Sequence, residues 1–185
     1  MVQRELVELA GNGDREAFSA LAASVVDRLY ATAVLILRDH SLADDATQET
    51  IVRAWRDLPS LRDPDRFDAW LRRLLVNACH DEGRRQRQRR PEITLLPSHE
   101  PSIGDSSAGL AERDALERGF RRLTPDHRTA MVLHHYAGLS LAEVAESIGV
   151  PLGTVKSRVH HATRALRATL EADARSTDIT KGGIA

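Results

Sequence analysis

The chain has 185 residues and a mass of 20.5 kDa, with 42% hydrophobic residues, 29% charged residues and a net charge of −1. This composition supports a packed core and argues against wholesale disorder, and the length suits one ordinary domain or two small ones. Cys79 is the only cysteine, which excludes an internal disulfide and a disulfide-stapled secreted scaffold, so a reducing cytoplasm is the expected location.

The N-terminal part predicts a long helix that starts at Asp14. Aromatic residues make up only 4% of the chain and alternating β-branched runs are absent, so strands have little support. Apolar residues then recur at helical spacing on one stripe: Phe18, Leu21, Ala22, Val25, Leu29, Ala33, Ile36 and Leu37. The most apolar stretch, residues 29–37, is shorter than the roughly 20 residues of a membrane span, so we expect neither a signal peptide nor membrane insertion.

A second helix is predicted to start at a capping box formed by Ser41 and Asp44 and to end at Pro59. Its predicted buried side holds Ala46, Thr50, Ile51, Ala54, Trp55 and Leu58. The opposite side carries polar and charged residues, namely Asp45, Gln48, Glu49 and Arg56.

A third helix is predicted from about Phe67, after a loop around Pro64. Its inward residues are Trp70, Leu71, Leu74, Leu75 and Ala78. The helix ends in a basic block, because residues 70–90 hold 7 arginines and 2 acidic residues. Such a block is either a track for nucleic-acid phosphates or a solvated tail.

Residues 91–109 have the composition of a flexible linker, with three prolines, two glycines and four serines. Residues 91–117 are also acidic, with one arginine and six acidic residues. A domain boundary is therefore predicted here. Two interpretations of this acidic segment remain. It either lies in a channel lined with cations or is an acidic linker without a binding partner.

The C-terminal part contains the most specific local pattern in the chain. Ser140 and Glu143 form a second capping box, Gly149 is placed for a left-handed helix end, and Pro151 opens a further helix. Two helices joined by so short a glycine turn match a helix-turn-helix.

The second helix of this motif is predicted to expose a surface of one charge. Its inward residues are Leu152, Val155, Val159, Ala162 and Leu166. Residues 150–170 hold Lys156, Arg158, Arg164 and Arg167 and no acidic residue. A major-groove helix needs donors for base edges and cations for phosphates, and this surface supplies both. The alternative is a solvated basic helix on an ordinary bundle.

Four motifs, in this order, resemble those of bacterial RNA polymerase sigma factors of the extracytoplasmic-function (ECF) class. They are Ala43-Asp44-Asp45-Ala46-Thr47-Gln48-Glu49-Thr50 with Arg53-Ala54-Trp55, then Phe67-Asp68-Ala69-Trp70-Leu71 with Asn77, then Leu123-Thr124-Pro125, and then Gly153-Thr154-Val155-Lys156-Ser157-Arg158. The resemblance covers about residues 10–170.

The resemblance implies an all-α chain of two small helical domains joined by a flexible linker. Residues 1–90 resemble sigma domain two, 91–109 the linker and 110–173 sigma domain four, and 174–185 form a polar tail. A sigma factor binds core RNA polymerase and recognises the −10 and −35 elements of promoter DNA. The expected partners are therefore core polymerase, promoter DNA and, as for many members, an anti-sigma protein.

The resemblance also assigns roles to individual residues. Polymerase binding is expected for Asp45, Gln48 and Glu49. Reading and melting of the −10 element is expected for Arg62, Arg66, Trp70, Arg73, Asn77, Arg84 and Arg85. Recognition of the −35 element is expected for Thr154, Lys156, Ser157, Arg158, His160, His161 and Arg164. Large aromatics at helical spacing usually pack, so Trp55 and Trp70 are either core or DNA-contacting residues.

Some positions depart from the family pattern. Val76 stands where a basic or polar residue is frequent, and His161 stands where arginine is usual. Imidazole cannot make the bidentate contact of arginine with guanine, so the −35 preference is expected to differ from the common one. The adjacent histidine pairs have no ligand partners at suitable spacing, and neither a metal nor another cofactor is expected.

Two rival classes of function remain. A helix-turn-helix regulator with a helical sensing or dimerisation domain would bind palindromic DNA without polymerase. A helical adaptor that binds only protein would leave the basic surface unexplained. No assembled nucleophile, base and orienting residue is present in the pattern, so an enzyme is not expected.

Overall fold

The computed structural model of the chain describes the backbone of residues 3–89 and 107–182 and the side chains of residues 3–88 and 114–172. Within these ranges the chain forms eight α-helices and no strand, which confirms the predicted all-α class. The helices are α1 Gln3–Gly11, α2 Arg15–Leu37, α3 His40–Asp57, α4 Phe67–Arg89, α5 Ser107–Arg122, α6 Pro125–Met131, α7 Leu141–Ile148 and α8 Leu152–Gly182. Short 3-10 turns join α3 to α4, and a π-helical turn, Val132–Tyr136, follows α6.

The predicted linker and tail fall only partly within the described residues. Residues 90–106 and 183–185 lie outside the described backbone, and they include most of the linker predicted at 91–109. α5 begins at Ser107, inside the predicted linker range, and α8 continues to Gly182, inside the predicted tail range 174–185. The helical backbone therefore extends past both predicted boundaries.

α2 is the central helix of an N-terminal bundle formed by α1 to α4. Asp14 caps it, because the Asp14 carboxylate accepts hydrogen bonds from the amides of Glu16 at 2.9 Å and Ala17 at 3.0 Å. The predicted start at Asp14 is therefore confirmed. The buried stripe of α2 faces α1, α3 and α4 and holds Ala17, Leu21, Val25, Leu29, Thr32, Ala33 and Ile36.

α2 is long and apolar enough to cross a membrane by length and composition, and it is the one such helix in the described part of the chain. The sequence count of its apolar residues did not anticipate this. The stripe that packs against three neighbouring helices accounts for only part of the apolar character of α2, because 33% of this apolar window is buried.

α3 starts earlier than predicted. The capping box expected for Ser41 and Asp44 is wrong, because α3 begins at His40 with Asp39 as its N-cap. Asp39 has an extended backbone, and its carboxylate accepts a hydrogen bond from the Leu42 amide at 3.1 Å. The helix ends at Asp57 as predicted, since Pro59 cannot continue the hydrogen-bond ladder.

Trp55 was predicted on the buried side of α3, and this prediction is wrong. The side chain is 38% exposed and lies at the rim of the bundle. Its ring meets the ring of Phe18 edge to face, with centroids 4.9 Å apart. The inner face of α3 is instead formed by small residues, which allow close packing against α2 and α4: Ala43, Ala46, Thr47, Thr50 and Ala54.

The C-terminal helices α5 to α8 contain the predicted helix-turn-helix. The Ser140 hydroxyl accepts a hydrogen bond from the Glu143 amide at 3.2 Å, and the Glu143 carboxylate accepts one from the Ser140 amide at 2.8 Å. The side chain of Ser140 first, and then its backbone amide, hold the pKa of the Glu143 carboxyl below its ordinary value. Gly149 then closes α7 at φ 68°, in the left-handed region, and Pro151 precedes α8. The predicted capping box and turn are confirmed.

The inward stripe of α8 is shorter than predicted. Val155, Ala162 and Leu166 are buried, whereas Leu152 is 41% exposed because it lies in the first turn, at the edge of the C-terminal core. The C-terminal helices also pack directly on the N-terminal bundle, since α7 contacts α4, and α6 and the π-helical turn contact α2.

Replacement of Ser140 by alanine is expected to lower the free energy of unfolding by about 1 kcal/mol, because it removes one half of the capping box. Ser140→Gly should cost only a few tenths of a kcal/mol. Urea denaturation followed by circular dichroism measures both changes, and Ser157→Ala, at an exposed position of α8, is the control. Equal stability of wild type and Ser140→Ala would contradict this role of the cap.

Candidate protein and nucleic-acid interfaces

The first candidate surface is the exposed face of α3. Asp45 and Gln48 are exposed, and Glu49 is half-buried. Arg53 forms a bridge between helices, since its Nε donates to Glu49 Oε1 at 2.6 Å and its Nη2 donates to Asp81 Oδ2 of α4 at 3.2 Å. The hydrogen bond to Glu49 raises the pKa of Arg53. Glu49 therefore has a structural contact within the bundle, whereas Asp45 and Gln48 face solvent.

The same face of α3 continues with apolar residues. Val52 is 59% exposed and Trp55 is 38% exposed, and both follow Asp45 and Gln48 at steps of three or four residues. Residues at these steps lie along one side of a helix. Val52 was missing from the predicted surface, although its spacing from Gln48 could have indicated its place. The face thus combines polar groups with about one turn of exposed apolar surface.

The second candidate surface lies on α4 and the loop before it. Arg62, Arg73 and Asn77 are exposed, and Arg73 and Asn77 share one side of α4 because they are four residues apart. Trp70 is half-buried and packs against the N-terminal core, with its ring 6.1 Å from that of Phe67.

The remaining arginines of this surface already have carboxylate partners. Arg84 Nη2 lies 2.9 Å from Asp81 Oδ1, and Arg85 pairs with Glu82, one turn away in each case. Arg66, in the turn before α4, pairs with Glu146 of α7. The three arginine side chains are at least half exposed. The carboxylates that pair with Arg66 and Arg84 are at least 30% exposed, and such pairs contribute about 0–1 kcal/mol to stability, so these two arginines can exchange their partners for other anions. The Glu82 side chain is only 9% exposed, so its loss of Arg85 would leave a buried charge unpaired.

The third candidate surface is the start of α8. The side chains predicted to face outward are exposed at Lys156, Ser157, His160, His161 and Arg164. Thr154 is half-buried. The His161 ring stacks with that of His127 of α6, with centroids 6.1 Å apart. This exposed set presents cations and hydrogen-bond donors without a carboxylate among them.

Arg158 differs from its neighbours. Its side chain is 21% exposed, and Nη2 lies 2.5 Å from Asp126 Oδ2 at the start of α6. The pair joins α8 to α6 inside the C-terminal domain. Of the seven α8 residues predicted to contact DNA, Arg158 is therefore the one whose charge is engaged by a described carboxylate.

Comparison with known proteins identifies the family of the chain. The family model of Sigma-70 region 2 matches residues 21–89, and that of Sigma-70 region 4 matches residues 119–168. The ECF RNA polymerase sigma factor SigL of Mycobacterium tuberculosis is 33% identical over 167 residues, which cover 86% of this chain and 94% of SigL. SigW of Bacillus subtilis, also an ECF RNA polymerase sigma factor, is 26% identical over 185 residues, with 92% of this chain and 97% of SigW covered.

Solved structures show the same similarity. CnrH in complex with the cytosolic domain of CnrY superposes with a TM-score of 0.68 at 28% identity, covering 92% of this chain and 98% of CnrH. The sigma factor RpoE of Bartonella quintana, in complex with the anti-sigma factor NepR, gives a TM-score of 0.67 at 27% identity, covering 84% of this chain and 98% of RpoE. The matches to both sigma regions and to full-length relatives show that the chain belongs to the ECF class of RNA polymerase sigma factors, which direct promoter-specific transcription initiation.

Proposed function

We propose that each of the three surfaces described above binds a different partner or promoter element of this sigma factor. The exposed face of α3 binds core RNA polymerase, α4 with its preceding loop binds the −10 element, and the start of α8 binds the −35 element. The observation that carries the proposal is the exposure of polar or cationic side chains at each surface, above helices whose opposite faces are buried in a core.

The polymerase surface is centred on Asp45 and Gln48. Both side chains are exposed on a helix that is held against the bundle by a face of small buried residues. The outer side of such a helix is therefore held in a fixed orientation. The apolar area of Val52 and Trp55 beside them fits a protein partner, because protein interfaces combine an apolar centre with a polar rim.

The −10 surface has cations for the phosphates of an opened strand. Arg62, Arg73 and Asn77 are exposed, and the ion pairs of Arg66 and Arg84 are exposed enough to exchange for phosphate. Arg85 compensates the buried Glu82 carboxylate, so we assign it a smaller share of the binding to the −10 element. The packing of Trp70 against the core favours a structural role for most of its ring, with the half-exposed edge left for a base.

The −35 surface has the arrangement of a recognition helix. Lys156, Ser157, His160 and His161 are exposed within two turns of the start of α8 and are suited to base edges. Thr154 and Arg164 are suited to phosphates. Arg158 can contact a phosphate only if its ion pair with Asp126 breaks, so we assign it a smaller share of the binding to the −35 element.

Regulation by an anti-sigma protein is part of the proposal. The similar protein RpoE is seen in complex with the anti-sigma factor NepR, and CnrH is seen with the cytosolic domain of CnrY. The similarity of this chain to both supports a partner of the same kind.

We further propose that the chain performs no covalent chemistry and acts in the cytoplasm, where polymerase and promoter DNA are found. Burial raises the pKa of the Cys79 thiol to about 12, so the only thiol of the chain is not a nucleophile at neutral pH. Run-off transcription from a promoter library with purified core polymerase tests the whole proposal. Specific binding to palindromic DNA without polymerase would instead favour a helix-turn-helix regulator.

The double variant Asp45→Ala with Gln48→Ala is expected to weaken the binding of core polymerase about tenfold, because it removes exposed polar groups from the docking face. It leaves the Glu49–Arg53–Asp81 bridge in place, so α3 and α4 should remain joined. Fluorescence titration of labelled protein with core polymerase measures the affinity. Asp27→Ala, at an exposed position of α2, is the matched control, and an unchanged affinity of the double variant would place the docking face elsewhere.

Lys156→Ala is expected to change the base preference at one position of the −35 element by about 1–3 kcal/mol, as the loss of a base-edge contact does. Transcription from promoters with each base at each −35 position, at several salt concentrations, measures the preference. Arg167→Ala removes an exposed cation further along α8 and should leave the preference unchanged. A uniform loss on all promoters, with a salt slope lower by about 1, would show that Lys156 contacts a phosphate.

A further inference from the structure

Three histidine rings meet at the start of α8, on the surface proposed for the −35 element. The ring of His161 lies nearly parallel to that of His127 of α6, with centroids 6.1 Å apart and an interplanar angle of 27°. The ring of His160 meets the His161 ring edge to face, with centroids 5.7 Å apart. Both distances lie in the range of aromatic pairs, so His161 is the central ring of a small cluster that joins two helices.

The position of His127 is fixed by the start of α6. Thr124 caps this helix, since its hydroxyl accepts a hydrogen bond from the His127 amide at 3.3 Å, and Pro125 occupies the first turn. The residue before His127 is Asp126, which pairs with Arg158 of α8 at 2.5 Å. His127 itself is half-buried. The start of α6 is therefore held against α8 by an ion pair directly beside His127.

These contacts between α6 and α8 fall on one side of the recognition helix. Arg158 and His161 are three residues apart, so their side chains are neighbours on α8. Asp126 pairs with the first of them, and His127 covers one face of the second. His161 is nevertheless exposed, and its ring nitrogens have no hydrogen-bond partner among the described residues. The N–H donor at the edge of the His161 ring is therefore free to contact a base.

A ring that is packed on one face differs from a free exposed side chain. An exposed histidine on a helix can adopt several rotamers, and fixing one of them on binding costs conformational entropy. Contact with His127 restricts the His161 ring before DNA arrives, because only some rotamers keep the two rings together. His161 is thus preorganised by a residue that lies outside the recognition helix.

The chemistry of a single imidazole N–H limits which bases it can recognise. In the major groove guanine presents acceptors at N7 and O6, whereas adenine presents an acceptor at N7 and a donor at N6. One donor reaches N7, which both purines share, whereas arginine reaches N7 and O6 together and so selects guanine. We propose that His127 is a positioning residue for −35 recognition, which holds the His161 ring so that its N–H donates to N7 of a purine. This inference rests on the proposed function of α8.

Transcription with core polymerase, from promoters that carry each base at each −35 position and at several salt concentrations, tests this inference. In wild type, one position should favour guanine and adenine alike over cytosine and thymine. His161→Ala should abolish this purine preference, and His161→Arg should convert it into a preference for guanine. His127→Ala should reduce the purine preference about two- to tenfold, as expected for the loss of one aromatic pair. His127→Phe keeps an aromatic face and should retain the preference, and a loss as large as that of His127→Ala overturns the inference.

The dependence of one substitution on the other separates positioning from a general structural role. If His127 acts through His161, then His127→Ala should have no further effect on base preference when residue 161 is already alanine. His135→Ala removes an exposed histidine from another ring pair of the C-terminal domain and should leave the preference unchanged. Independent, additive effects of the two substitutions overturn the inference. A uniform loss on all promoters with a lower salt slope also overturns it, because His127 would then contact a phosphate.

The ring contact is measured separately in the free protein by NMR. His127→Ala should shift the resonances of the His161 ring protons, because an adjacent aromatic ring changes their magnetic surroundings, and His135→Ala should leave them unchanged. Unshifted His161 resonances in His127→Ala overturn the inference. If these resonances shift but the wild-type protein shows no base preference at any −35 position, the proposed function of α8 is contradicted, and with it the role of His161 in recognition, while the ring contact itself stands.

Discussion

The arrangement of this protein depends on the packing around α4. One side of α4 supplies Leu71, Leu75 and Cys79 to the N-terminal core, and another side supplies Val76 to the C-terminal core. The remaining circumference carries cations and Asn77 toward solvent. Because one helix contributes to both domains and to the proposed −10 surface, a change in domain packing necessarily changes the surroundings of that surface.

The arginine side chains of the protein differ in how deeply they are buried and in how exposed their ion pairs are. Arg128 is buried against backbone carbonyls, which lowers its pKa, and Arg158 is largely covered beside Asp126. Arg85 pairs with the buried carboxylate of Glu82 and belongs to the same group. Arg66 and Arg84 form a second group, which is paired but exposed. Exposed ion pairs gain little over solvated charges, whereas a buried charge that loses its partner is costly. The first group therefore maintains the structure, and the second group is available to phosphates.

The inner and outer sides of α3 have different roles. Small residues on its inner side let α3 approach α2 and α4 closely, and Arg53 ties it to α4 through Asp81. The outer side is thereby fixed in orientation. A docking surface that is rigid before binding loses less conformational entropy when a partner arrives, which suits a factor that must join a much larger enzyme.

Local patterns in the sequence predicted much of this protein. The caps at Asp14 and Ser140, the turn at Gly149 and the end of α3 before Pro59 follow from hydrogen bonds within a few residues. The capping box at Ser41 failed because Asp39, two residues earlier, is an equally good cap, and composition alone does not rank them. The exposed donors of α8 and of α3 followed from helical periodicity.

The burial of some residues depends on long-range packing and could not be predicted from helical periodicity. Val76 lies on a different side of α4 from Leu71, Leu75 and Cys79, and only the presence of the C-terminal domain against it explains its burial. Trp55 has helical spacing suited to a core, but the bundle ends before reaching it. The sequence by itself determined the helices, their caps and the charge along each face, because these depend on neighbours in the chain. The tertiary structure alone decided which faces meet, since residues 76 and 155 are brought together by folding and not by spacing.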